Sequence, residues 1–208
     1  MIGVITGDII NSREADNQQE WLVPIKKVFN QFGKTPKTWE IFRGDSFQLE
    51  VEKPEDTFWA AILIKASIRS VRSLDVRMAI GIGEKSHDAA RISESNGEAF
   101  IHSGEKFENL KKQKQNLAVK TPWPDFDQQF NLMISLASIA MDKWSQSSAE
   151  LIALSLQHKE LSQKELGEKI AIGQSSVSER QKRAHFEEVM ELENFYRQQI
   201  TNRLGVRI

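Results

Sequence analysis

Two aspartates, Asp8 and Asp45, are placed where carboxylates could bind a metal ion. Asp8 lies at the end of an apolar segment typical of a β-strand, and Asp45 lies at the tip of a predicted hairpin. If these strands are neighbours in one sheet, both carboxylates lie at the same edge and repel each other unless a divalent cation binds between them. Mg²⁺ attached to a nucleotide phosphate fits this arrangement. The alternative is that Gly44 and Asp45 only form a turn and that Asp8 is an Asx cap.

A helix-turn-helix is predicted near the C-terminus, from Gln163 to about Lys182. Ser162, with a glutamate three residues later, is typical of a capping box at the start of the first helix. Gly167 is the small residue where the second helix crosses the first, and Val177 packs the second helix back. Ala171 occupies a turn position where glycine is usual, and alanine costs little there if its φ stays negative.

The exposed face of the second predicted helix carries side chains that can read base edges or hold phosphates in a major groove. These residues are Gln174, Ser175, Ser178, Glu179, Lys182 and Arg183, and Ser176 at the start of the same helix is also assigned to DNA binding. The sequence therefore predicts that double-stranded DNA is a partner. The alternative is an ordinary helical pair in which the Gln-Ser-Ser segment is only an N-cap.

Composition predicts a cytoplasmic protein without membrane partners. The 208 residues are 39% hydrophobic, which is enough for one large domain or two modest ones. Without cysteine, disulfides and thiolate metal sites are excluded. We find no signal peptide and no apolar run near the roughly 20 residues that span a bilayer. The four scattered histidines predict no zinc site, and we expect no haem or flavin.

Hydrophobic periodicity predicts the order β-α-β-β-α-β-α-β, followed only by helices. The predicted segments are 2–10, 14–32, 38–52 (a hairpin), 54–71, 76–83, 96–110 and 116–120. We therefore predict an α/β fold, with an α+β ferredoxin-like or palm-type sheet and flanking helices over 1–125. An all-α domain follows over 126–208, with the helix-turn-helix at 162–183.

An apolar stripe follows the predicted recognition helix. Its members are Phe186, Val189, Leu192, Phe195, Tyr196 and Ile200. The stripe either packs back on the N-terminal domain or pairs with a second copy. Proteins of the helix-turn-helix class usually read DNA as dimers, so the sequence favours a homodimer.

Three motifs, GDIINSR, RGDSF and VRMAIGIG, make the N-terminal domain resemble class III nucleotide cyclases and their palm-domain relatives. The resemblance implies that Asp8, Asp45 and the carbonyl of Ile9 bind Mg²⁺ and that a nucleotide or phosphate ligand lies beside them. It places that ligand against Asn11, Ser12, Arg13, Arg43 and Gly44.

The cyclases also use an asparagine and an arginine that stabilise the transition state. The comparable stretch here, SNGEAFIHSGEKF, has neither at the matching places, and Arg91 is the nearest substitute. We therefore expect no efficient turnover and assign no catalytic residue.

The whole chain resembles the SatD family of small bacterial proteins. GDIINSR, RGDSFQ, RISESNGEAF, SQKELGEK and QSSVS occur in the order found in that family. The resemblance implies a regulator. We expect a DNA-binding protein that regulates transcription and whose cyclase-like domain senses a nucleotide or phosphate together with Mg²⁺. One alternative is a nucleotidyl-transfer or cyclase-like enzyme with a helical partner-binding tail. Another is an interaction protein in which both sites have decayed.

Overall fold

The computed structural model describes residues 1–14 and 17–205. Within them the chain forms an α+β fold, a five-stranded mixed sheet with eight α-helices, as predicted. The strands are β1 (Ile2–Ile10), β2 (Trp39–Phe42), β3 (Ser46–Val51), β4 (Asp75–Gly83), β5 (Lys85–His87), β6 (Asn96–Gly97) and β7 (Leu117–Lys120). The helices are α1 (Gln19–Phe29), α2 (Thr57–Arg69), α3 (Glu98–Gln113), α4 (Pro124–Met141), α5 (Gln146–Gln157), α6 (Gln163–Lys169), α7 (Gln174–Arg183) and α8 (Phe186–Arg203).

The predicted order of strands and helices is confirmed, with two differences. The helix predicted over 14–32 is the shorter α1, and residues 15 and 16 of that prediction lie outside the described residues. The strands β5 and β6, which pair with each other, were not predicted. They span only three and two residues, which is too short for a periodic pattern in the sequence.

Strand β1 is the centre of a sheet with the order β2-β3-β1-β4-β7. It is antiparallel to both neighbours, and β7 runs parallel to β4. In this register Asp8 lies opposite Ser46 of β3 and opposite Arg77 of β4. The last residues of β1 therefore meet the β2–β3 turn and the segment before β4, and we call this the Asp8 end of the sheet.

Helices cover both faces of the sheet. Ile9 of β1 lies in the main core with residues of α1 and α2. Thr6 faces α3 instead, where its hydroxyl lies 3.0 Å from that of Ser103. Because side chains alternate along a strand, Asp8 lies on the same face of the sheet as α3.

Helix α4 covers the outer edge of β7. The Asn131 side chain accepts a hydrogen bond of 2.8 Å from the N–H of Val119 and donates one of 2.9 Å to the carbonyl of that residue. The amide thus makes the two bonds that a further strand would make. Since an open edge strand can pair with other chains, Asn131 protects the middle of β7.

Helix α8 packs back on the α+β part of the chain. Tyr196 is fully buried, and its hydroxyl donates a hydrogen bond of 3.0 Å to the carbonyl of Pro54. Its ring centre lies 5.5 Å from that of Phe58 and 5.1 Å from that of Phe130. Burial raises the pKa of the Tyr196 hydroxyl, so the group stays protonated and remains a donor. The expectation that this stripe pairs with a second copy is wrong, because α2 and α4 of the same chain supply the apolar surface that buries it.

One hydrophobic core runs from the sheet into the C-terminal helices. It includes Phe58 of α2, Phe130 of α4 and Tyr196 of α8. The predicted boundary between residues 125 and 126 falls in the first turn of α4. None of the helices in the described ranges is long and apolar enough to cross a membrane.

Candidate functional site

The first helix of the helix-turn-helix, α6, begins with the predicted capping box. The Ser162 hydroxyl accepts a hydrogen bond of 3.3 Å from the N–H of Glu165, whose carboxylate accepts one of 2.8 Å from the N–H of Ser162. Hydrogen bonds from the Ser162 hydroxyl and then from its N–H hold the pKa of Glu165 below its usual range. The motif satisfies N–H groups that a helix start leaves without partners, and so determines where α6 begins.

Gly167 and Val177 hold α6 and α7 together. Val177 is completely buried in an apolar cluster with Leu151 and Leu166. A β-carbon on Gly167 would lie 2.5 Å from the carbonyl oxygen of Ile172 and 3.3 Å from the Val177 side chain. Glycine alone leaves room for this approach, so the predicted packing roles of Gly167 and Val177 are confirmed.

The condition for a low cost at Ala171 is not met, because its φ is +54° and not negative. The N–H of Ile172 bonds to the carbonyl of Gly167 at 2.9 Å, which closes the end of α6 as a Schellman motif. Such a closure requires a left-handed residue just after the helix. For alanine this conformation costs roughly 1–2 kcal/mol.

Helix α7 presents a polar face to solvent. The exposed residues are Gln174, Ser175, Ser178, Glu179, Lys182 and Arg183. Ser176, which was also predicted to contact DNA, is half-buried. The first turn of the face is uncharged, Glu179 carries a negative charge in the next turn, and Lys182 and Arg183 carry positive charge in the last turn.

The other side of α7 is fastened by contacts that were not predicted. Gln181 accepts a hydrogen bond of 3.0 Å from the Gln163 amide and donates one of 3.2 Å to the hydroxyl of Ser155. The indole N–H of Trp144 donates to the carbonyl of Ala184 at the end of the helix. These bonds join residues 18 to 40 positions apart, and no local pattern in the sequence marks such partners.

The second candidate site lies at the Asp8 end of the sheet. Asp8 pairs with Ser46, the residue after Asp45, and the N–H of Ile9 donates a hydrogen bond of 3.1 Å to the carbonyl of Asp45. The Ser12 hydroxyl donates one of 2.6 Å to the Asp45 carboxylate. The structure therefore brings these predicted residues of β1 and the hairpin together.

Arg77 belongs to this site and was missed by the sequence analysis. Its guanidinium donates to both carboxylate oxygens of Asp8, at 3.1 and 2.6 Å, and lies 5.8 Å from the centre of the Phe107 ring. The side chains of Arg77 and Asp8 are only 18% and 24% exposed. Arg77 therefore neutralises Asp8, so a cation is not the only partner for this carboxylate. The motif VRMAIGIG contains Arg77, but only the strand register reveals its partner.

The remaining predicted ligand residues lie in the two turns beside this pair. Asn11, whose φ is +63°, donates a hydrogen bond of 3.2 Å to the carbonyl of Ser73. Gly44 has a φ of +94° at the tip of the β2–β3 turn, a conformation that favours glycine. Arg13 and Arg43 are exposed, so both turns carry a positive charge near the surface.

A cleft of about 430 Å³ opens beside Asn11, between the sheet and the C-terminal helices. Arg69 lines it and donates hydrogen bonds of 2.8 Å to the carboxylate of Asp75 and to the carbonyl of Trp144. Asn116 provides a further amide in its wall. The cleft thus connects the Asp8 end of the sheet with the segment that leads into α5.

The oxygens of Asp8, Asp45 and Ile9 are of the type that Mg²⁺ prefers. Asp8, however, has both carboxylate oxygens on Arg77, and Asp45 uses one of its two for Ser12. Residues 1–14 and 17–205 contain no group of three or more acidic or histidine side chains that could hold a metal ion. The donor set suits Mg²⁺ when phosphate oxygens and water complete the coordination, and Arg77 competes for Asp8.

The positions that would carry a cyclase's transition-state residues lie on α3. Ile101 is exposed there, and the ring Nδ1 of His102 lies 2.7 Å from the carbonyl oxygen of Ile82, within hydrogen-bonding distance. Arg91, the nearest substitute by sequence, forms an ion pair with Glu40 of β2. Arg91 is therefore already engaged by a carboxylate outside the Asp8 end.

The fold defines a class of protein in which an α+β sheet leads into a C-terminal helix-turn-helix. The model of the SatD family matches residues 2–200, so the chain belongs to the SatD family. Comparison with curated proteins and with solved structures found no match.

Proposed function

We propose that this SatD-family protein is a DNA-binding regulator that contacts the major groove through α7. The observation that carries the proposal is the exposed polar face of that helix, on a scaffold with a capped first helix and a tight glycine contact. A recognition helix needs polar side chains free of the protein in its first turns and positive charge near the backbone. Gln174, Ser175 and Ser178 meet the first need, and Lys182 and Arg183 meet the second.

Selection from random duplexes with the intact protein tests this proposal. We expect one family of related sequences to be enriched. Lys182→Ala is expected to weaken binding to all duplexes and to flatten the dependence of log K on log salt by about 0.9. Lys182 is preferred to Arg183 for this test because Arg183 also pairs with Glu179, at 3.8 Å.

The matched control is Lys111→Ala, which removes the same charge from the exposed surface of α3. It should leave affinity and salt dependence unchanged. If no sequence is enriched and Lys182→Ala behaves like Lys111→Ala, α7 does not bind DNA and the C-terminal helices serve as a docking surface.

We further propose that the Asp8 end of the sheet binds a nucleotide or related phosphate together with Mg²⁺. The support is the grouping of Asp45 and Ser12 beside Asp8, next to a cleft of about 430 Å³. In this site Asp45 would ligate the ion, and Arg13 and Arg43 would attract the phosphate. The bound ion would supply charge neutralisation of the phosphate oxygens.

Two hydrogen bonds link the wall of this cleft to the end of the proposed recognition helix. Arg69 in its wall donates to the carbonyl of Trp144, and the indole of Trp144 donates to the carbonyl of Ala184 at the end of α7. A ligand that displaces Arg69 would therefore act on the residue that positions the end of α7. This contact makes the two sites parts of one regulator in our proposal.

Thermal unfolding with nucleoside triphosphates, or with inorganic phosphate, tests the ligand site in the presence of Mg²⁺ or Mn²⁺. A ligand at 100 times its Kd stabilises the fold by about 2.7 kcal/mol. Asp45→Asn should abolish that shift, whereas Asp88→Asn should keep it, since Asp88 pairs with Lys85 near Glu50, at the other end of β3. The absence of a shift with every probe, or an unchanged shift in Asp45→Asn, would refute the ligand site.

A further inference from the structure

Helix α4 carries an apolar stripe that nothing in the described residues covers. Leu132, Leu136 and Ile139 are 64%, 61% and 62% exposed. They are spaced four and three residues apart, so they lie on one face of the helix. The opposite face, with Phe130 and Ile134, is buried against the core, so the stripe contributes nothing to the fold of one chain.

The stripe continues into a groove of about 450 Å³ between α4 and the segment that joins α7 to α8. Leu136 and Ile139 form one wall of the groove, and Arg183, His185 and Val189 form the other. The stripe and the groove thus form one continuous surface, which we call the α4 surface. It ends beside the last residue of α7.

We infer that the α4 surface binds a second copy of this chain, in an antiparallel pairing of the two α4 helices. The run from Gln128 to Met141 contains no charged residue, although 27% of the chain is charged. A helix face without charge and with apolar residues at its centre can pair with itself, as a two-fold interface requires. The charged side chains of the α4 surface, Lys143, Arg183 and Glu188, line the groove beside that face. A partner protein of opposite charge would instead need charges on this helix.

Spacing and charge favour the antiparallel direction. In the antiparallel pair, a two-fold axis that passes between Ser135 and Leu136 places Leu132 of one copy beside Ile139 of the other. The apolar residues of the two copies then meet. It also places Lys143, which is exposed, beside Gln128. A parallel pairing would bring the two Lys143 side chains together, and like charges at close range oppose association.

The expected dimer is weak. At 18 residues, α4 is about 27 Å long and about 10 Å wide. The area that one face of this helix can bury is therefore less than the roughly 800 Å² that each partner buries in a standard interface. The walls of the groove must supply the rest of the interface. We expect a reversible monomer–dimer equilibrium with a dissociation constant of about 10 µM. In the dimer, one α7 helix lies on each side of the interface.

Sedimentation equilibrium of the intact protein without DNA tests the inference, and the result does not depend on whether α7 binds DNA. We expect monomer and dimer in exchange, and at least about a tenfold weaker dimer in Leu136→Lys. The matched control is Ile101→Lys, another exposed aliphatic residue, on α3 (52% exposed), which should associate like the parent protein. A protein that stays monomeric at about 100 µM, or a dimer unaffected by Leu136→Lys, would overturn the inference.

Disulfide trapping gives a second test that keeps the stripe intact. The chain contains no cysteine, so each introduced thiol is the only one. Ser135→Cys lies beside the proposed axis and should form a covalent dimer on mild oxidation. Ser175→Cys, exposed on α7, should stay monomeric, and the reverse pattern would contradict the pairing.

Discussion

The indole N–H of Trp144 donates a hydrogen bond of 2.8 Å to the carbonyl oxygen of Ala184, and both residues are buried. Ala184 ends α7, and the carbonyl of Trp144 receives two hydrogen bonds from Arg69 of α2. The end of the proposed recognition helix is thereby attached to α2 through the side chains of Trp144 and Arg69.

Trp144→Phe should lower the free energy of unfolding for two reasons. The smaller ring loses packing contacts, and the Ala184 carbonyl is left buried without a donor, which costs about 1–3 kcal/mol more. Urea denaturation measures this change. The matched control is Trp21→Phe, since the buried indole N–H of Trp21 has no partner among residues 1–14 and 17–205. If both variants lose the same free energy of unfolding, the hydrogen bond of Trp144 contributes no stability beyond that of side-chain packing.

Ala171→Gly should stabilise the protein by about 0.5–1 kcal/mol. Glycine relieves the strain at a φ of +54°, and part of the gain is lost to the freedom that glycine adds to the unfolded chain. Ala153→Gly, in the interior of α5, should instead cost about 1 kcal/mol. Thermal unfolding compares the two, and a destabilised Ala171→Gly would show that the turn is not strained.

Gln174→Ala should cost about 1–3 kcal/mol of binding to the preferred DNA sequence and should relax the preference at one base pair. The reason is that Gln174 begins α7, and the first turns of a recognition helix reach base edges. Competition binding with single-base variants of the selected site measures the effect. A uniform loss over all sequences would place Gln174 on the DNA backbone.

Asp8→Asn should destabilise the fold by about 1–2 kcal/mol, because it leaves the half-buried guanidinium of Arg77 without its carboxylate. Glu179→Gln breaks the exposed pair with Arg183 and should have no measurable effect on unfolding. Urea denaturation at neutral pH checks both. If Asp8→Asn is as stable as the parent protein or more so, repulsion between Asp8 and Asp45 outweighs the ion pair.

Purified protein should show little or no cyclase activity on ATP or GTP with Mn²⁺. No arginine stands at the matching places on α3, and the substitute Arg91 is paired with Glu40, so charge that develops on the phosphate lacks a stabilising group. Product formation measured over time checks this expectation. Sustained turnover that disappears in Asp45→Asn would favour the enzyme alternative.

Local patterns were sufficient for most of the fold. The capping box at Ser162, the close approach at Gly167 and the buried Val177 all follow from residue types at fixed spacings, because each rule acts within a few turns of one helix pair. The φ of Ala171 could not be predicted from the sequence for a related reason. The conformation of that residue follows from how the chain closes the end of α6, which residue type alone does not reveal.

The amino-acid sequence by itself determined the helices and the strands of the main sheet, where the helix-turn-helix lies and which residues of α7 are polar. Tertiary structure alone decided that Arg77 neutralises Asp8, that Trp144 holds the end of α7 and that Tyr196 buries α8 against α2 and α4. It also left Leu136 and its neighbours on α4 uncovered. The physical reason is that periodicity and caps are encoded over a few residues, whereas these contacts join residues 40 to 142 positions apart and depend on strand register and helix packing.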